Sequence, residues 1–105
     1  MKRIRNVKDL KIGKKYLLKK FKTPKRNIVK WLLIPKEINY EAENIICKAY
    51  FVGKGDSTFE FGEPEVDENF SFLDFYANLE KLWRYWELTD EEVEEYEKRL
   101  VLSKL

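Results

Sequence analysis

Apolar residues alternate along the first half of the chain and recur at helical spacing along the second. After Gly13, residues 14–22 hold Tyr16, Leu17, Leu18 and Phe21 and read as a strand. The polar run 22–27, with Pro24, is a turn signal. Residues 28–34 follow, rich in β-branched and aromatic side chains and nearly all apolar, as in a strand covered on both faces. Pro35 is expected to end it, and 36–43 to form a polar connection. In 45–52, Ile45, Cys47, Ala49 and Phe51 fall on one side, with Ile46, Lys48, Tyr50 and Val52 on the other. Gly53-Lys54-Gly55-Asp56 is a hairpin signal, and 57–61 alternates again, with Phe59 and Phe61 on one side.

The pattern then changes period. Ser71 is placed as an N-cap with Asp74 three residues on. Phe72, Tyr76, Leu79, Trp83 and Trp86 recur at spacings of four, three, four and three, which predicts one helix over roughly 71–86. Thr89 and Glu92 make a second capping box, with Leu88 and Val93 spaced for a hydrophobic staple. A second helix is expected over roughly 89–102, burying Val93, Tyr96, Leu100 and Val101. The expectation is a single α+β domain, 1–105: a small antiparallel sheet over roughly 14–62, then a helical hairpin. Residues 9–18, DLKIGKKYLL, resemble the opening of SH3-like and Tudor-like barrels, where a Gly after a short apolar lead precedes the first strand. That resemblance implies a small SH3-like sheet over about the first sixty residues and implies no function.

Charge divides the same chain. Residues 1–36 carry fourteen Lys and Arg against one acid, Asp9, a local net of +13. Residues 37–105 carry eighteen acids against seven bases, a local net of −11, so the formal total of +2 conceals two opposed fields. The basic half attracts polyanions. Lys22, Lys25 and Arg26 are expected at a turn tip, with Arg3 and Arg5 as a flexible addition. On the preceding strand, alternation puts Lys20 and Lys22 on the side of Tyr16 and Leu18 and puts Lys15 and Lys19 on the other, so this strand alone does not gather all its lysines into one patch. Exposed Tyr16, Phe21 or Trp31 beside them would stack on bases of a single strand. The bland alternative is a lysine-rich solvated surface over an aromatic core. In the acidic half, Glu91, Glu94 and Glu95 belong to a carboxylate strip that can dock on a basic protein groove or imitate the spaced phosphates of DNA. Against it stands an ordinary soluble helix with an acidic first turn and i,i+4 pairs such as Glu94–Lys98.

Catalysis is hard to assemble from this composition. There is no His, which removes the commonest general base and metal ligand. Cys47, the one thiol, falls among apolar neighbours and reads as a small buried hydrophobe. The acidic run 63–68 reads as a solvated loop that lacks calcium-loop spacing, and the Gly53–Gly55 segment lacks the phosphate-loop Lys-Ser/Thr. No cofactor and no metal are expected. With no secretory pattern, no membrane-length apolar run and one Cys, a cytoplasmic protein without membrane contact is expected. The expected function is non-enzymatic binding of nucleic acid, or of a nucleoprotein complex, through the basic half. The alternative is an inhibitor of a basic nucleic-acid-handling protein acting through the acidic helix. Small phage anti-defence proteins share that compact, charge-divided style.

Overall fold

In the computed structural model, which describes residues 1–54 and 66–103, six strands form one sheet. They are β1 (Lys2–Ile4), β2 (Tyr16–Thr23), β3 (Arg26–Asn39), β4 (Asn44–Lys54), β5 (Val66–Ser71) and β6 (Trp83–Glu87). Two helices accompany them, α1 (Phe72–Glu80) and α2 (Asp90–Ser103), with a short 3-10 turn at Val7–Asp9. The strand order is β1-β6-β2-β3-β4-β5, and every neighbouring pair is antiparallel. The fold is α+β, as the two periodicities predict. The expected strand at 57–61 and the Gly55-Asp56 part of the hairpin signal lie outside the described residues.

The helical hairpin gives way to a helix, a strand and a helix. Ser71 does cap α1: its hydroxyl accepts from the Asp74 N–H at 3.1 Å, and Asp74 accepts from the Ser71 N–H at 3.2 Å. But α1 ends at Glu80, where the Lys81 N–H bonds back to Ala77 and Asn78. Leu82 then takes a positive φ of 64° and turns the chain. Residues 83–87 become β6, inserted between β1 and β2. Trp-Arg-Tyr-Trp-Glu suits a strand because aromatic residues pack well on a pleated surface. Given the antiparallel ladder, β5 and β6 point the same way, so α1 is the crossover between them.

Three further expectations shift. Residues 2–4 precede the basic strand not as a flexible arm but as edge strand β1, paired with β6. Pro35 lies within β3, where the register slips between Pro35 and Glu37; a bulge lets the missing N–H pass. Residues 66–68 of the acidic run are ladder positions of β5 rather than loop. The sheet beginning at the SH3-like segment is also larger than expected. Among the described residues its pairings run from β1 to β5 without closing.

Each face of the sheet has its own core. On one side, Tyr16, Leu18, Leu33, Ile45, Cys47, Ala49 and Tyr85 pack with Phe75 of α1 and with Val7 and Leu10 from the 3-10 turn. On the other, Leu17, Leu32 and Val52 pack with Leu88, and α2 covers them through Val93 and Tyr96. The side chains of Leu100 and Val101 lie outside the described set. Burying one large apolar side chain contributes about 1.5–3 kcal/mol, so a helix on each face anchors the central strands twice over. Among the described residues no helix is long and apolar enough to cross a membrane.

Candidate nucleic-acid interface

Alternation along β2 sends adjacent lysines to opposite sides. Lys19 shares the α2 face with Leu17; Lys20 shares the α1 face with Leu18. The six basic residues expected at one site therefore divide into three groups around one end of the sheet.

On the α2 face, Arg3 pairs with Trp86 across β1 and β6, and Lys19 pairs with Arg84 across β2 and β6. Lys19 Nζ lies 5.4 Å from the centre of the Trp86 ring. Phe21 meets that ring edge-on, with centroids 6.5 Å apart. Arg5 follows β1 directly. The Arg3 guanidinium is held below its ordinary value, first by partial burial and then by repulsion from Arg84 and Arg5. That repulsion marks a local excess of positive charge. Arg84 is oriented by donating to the carbonyls of Leu79 (3.1 Å) and Trp83 (2.9 Å). Lys30 extends the cross-strand row but is only 3% exposed and has a partner within the fold. Arg3 and Arg5 are exposed, while Lys19, Phe21, Arg84 and Trp86 are half-buried.

At the tip of the β2–β3 hairpin, Lys22, Lys25 and Arg26 are all exposed, and Thr23 pairs with Arg26 across the turn. The ladder slips twice just before it, at Lys20/Phe21 and Phe21/Thr23, and such bulges twist a hairpin end away from the sheet plane.

On the α1 face, Lys20 sits with its Nζ 4.0 Å from the Trp83 ring centre and 6.0 Å from that of Trp31. These residues border an open cavity of about 260 Å³ between the sheet and α1. Leu18, Leu33 and Ala49 form its apolar floor; Glu68, Asp74 and Asn78 bring polar atoms. Burial pushes the Lys20 ammonium below its ordinary value, and the Glu68 carboxylate partly offsets this.

The acidic residues stand elsewhere. Glu91, Glu94 and Glu95 are exposed on α2, whose first turn is held by the Thr89–Glu92 box at 3.0 and 3.2 Å. Lys15 contacts Glu97, and the Met1 amino group lies 3.3 Å from Glu92, so α2 is tied to the basic half at its own sheet face. Of the aromatic candidates, Tyr16 is fully buried, its hydroxyl accepting from the Lys11 N–H at 2.7 Å, whereas Phe21 and Trp31 keep partial exposure. Trp83, Trp86 and Arg84 carry no site signal in the sequence: helical spacing puts the two tryptophans on one stripe, and only a strand of period two separates them onto opposite faces. Among the described residues no three His, Cys, Asp or Glu gather as a metal group. Neither a family model, nor a curated protein, nor a solved structure matches the chain.

Proposed function

We propose that this chain is a small, cytoplasmic, non-enzymatic binding protein that takes nucleic acid, free or in a nucleoprotein complex, on its basic half. The observation that carries this reading is the grouping of Arg3, Arg5, Lys19 and Arg84 around the half-buried Trp86 and Phe21. Cations interleaved with accessible aromatic rings supply both halves of single-strand recognition, phosphate attraction and base stacking. Lys22, Lys25 and Arg26 extend the positive field around the hairpin tip. Phosphate contacts set affinity and carry no sequence information by themselves, so weak base preference on this face is expected.

The test is charge reversal. Changing Lys22, Lys25 and Arg26 together to Glu should lower the slope of log affinity against log salt by about two to three units. Changing Arg3 and Arg5 to Gln should lower it by about one to two. Slopes unaltered in both variants would place binding elsewhere on the molecule. A second reading, an inhibitor that captures a basic protein through α2, draws on the outward exposure of Glu91, Glu94 and Glu95. It requires partner capture to fail in the Gln variant of those three residues.

A further inference from the structure

The cavity on the α1 face is not needed for a purely electrostatic grip, and it faces away from the Trp86 cluster. We propose that it receives one unpaired base of the bound strand, of the kind that carries an exocyclic amino group; this rests on the nucleic-acid reading above.

Size and lining support a flat heterocycle. The volume is about 260 Å³, the floor is apolar, and Trp31 and Trp83 border it from β3 and β6, the two strands that flank β2. Aromatic walls tolerate any base by stacking. The polar rim is selective. Glu68 and Asp74 are carboxylates, and Asn78 donates its side-chain NH₂ to Tyr85 Oη at 3.3 Å, which leaves its carbonyl as an acceptor. Three acceptors suit the two N–H groups of an exocyclic amine. Among the described residues Lys20 is the one cationic donor there, and it suits a ring nitrogen or carbonyl beside that amine. Cytosine and adenine offer that combination; thymine and uracil put a carbonyl where the amine would be.

Position supports a base on a strand rather than a detached ligand. Lys20 is five residues from Lys25, at most about 17 Å along an extended chain. The exposed cations of the hairpin tip therefore lie between the cavity and the α2-face cluster, along the path a backbone would take around the sheet end. The carboxylates repel phosphate from the cavity, so the backbone stays at the tip and the base alone enters. An organic cation fits less well than a neutral base, because the Lys20 ammonium already places a positive charge at the cavity and repels a second one.

The experiment uses the full chain and four single-stranded DNA octamers: all-dC, all-dC with internal abasic sites, all-dT and all-dT with internal abasic sites. Wild type should bind dC about tenfold tighter than dT, and removing the bases from dC should weaken binding at least about fivefold. Trp83→Leu and Lys20→Gln should erase the dC preference while leaving the salt slope within one unit of wild type; Trp86→Leu should keep the preference. Thermal melts confirm that each variant is folded, and the wild-type comparison needs no variant. Equal wild-type affinity for dC and dT overturns the base-pocket inference while leaving the nucleic-acid reading intact. So does a preference lost in Trp86→Leu and kept in Trp83→Leu. Absence of binding to every octamer at low salt overturns both.

Discussion

Lys19 and Lys20 are neighbours in sequence, yet one stacks near Trp86 beside α2 and the other over Trp83 beside α1. Period-two alternation made that division legible in the sequence; the tryptophan partners were not, because their strand was hidden. Cys47 was fully legible. It lies between Ile45 and Ala49 on the buried face, is 1% exposed, and burial pushes its thiol up to about 12. With so little thiolate at neutral pH, a thiol reagent should label the native protein far more slowly than the denatured chain. Near-equal rates would show an open site. Glu92 offers a pH test. Partial burial pushes its carboxyl up, but hydrogen bonds from Thr89 and from the amino terminus outweigh this and hold it below its ordinary value. A depressed carboxylate stabilises the fold fully above its ordinary value and loses that contribution as pH falls below it and through the lowered folded-state value. Wild type should therefore lose more melting temperature on acidification than Glu92→Gln does. Parallel curves for the two proteins would remove Glu92 from the acid response.

At the scale of elements, the sequence disclosed starts better than stops. Ser71 and Thr89 both cap helices with the expected boxes, because cap chemistry is local. Ser71→Ala should cost about 1 kcal/mol, a fall of ~4–8 °C in Tm, and Ser71→Asp should recover most of it. An unchanged Tm in the Ala variant would mean that packing of Phe72 and Phe75 alone holds the start of α1. The end of α1 carries no such mark. No Gly or Pro follows Glu80, and the left-handed position falls on Leu82, where an L-residue costs about 1–2 kcal/mol. Tertiary pairing of residues 83–87 with both β1 and β2 overrides the helical spacing. Pro35 misled in the opposite direction, since a bulge carries β3 past it. On α2, changing Glu91, Glu94 and Glu95 to Gln should alter stability by only a few tenths of a kcal/mol per residue. The same change should leave nucleic-acid affinity equal or slightly tighter, as repulsion is removed. A marked loss of that affinity would mean that α2 itself forms part of the binding surface.

Across the whole molecule, one insertion organises the surface. β6 enters between β1 and β2, bringing Trp86 and Arg84 beside Arg3 and Lys19 on one face and Trp83 beside Lys20 on the other. The acidic half thus contributes aromatic residues and an arginine to the basic half's proposed interface. Charge counting along the chain reveals the two fields but not this interleaving, which requires a crossover from β5 to β6. The most direct test of the proposed interface is the affinity of the full chain for a single-stranded octamer across a salt series. Arg3, Arg5, Lys19, Lys22, Lys25, Arg26 and Arg84 are the cations available, and engagement of four to all of them gives a slope of about −3 to −5 in log affinity against log salt. That slope is the expected result. A slope near zero, or no binding at the lowest salt, would contradict nucleic-acid binding by the basic half.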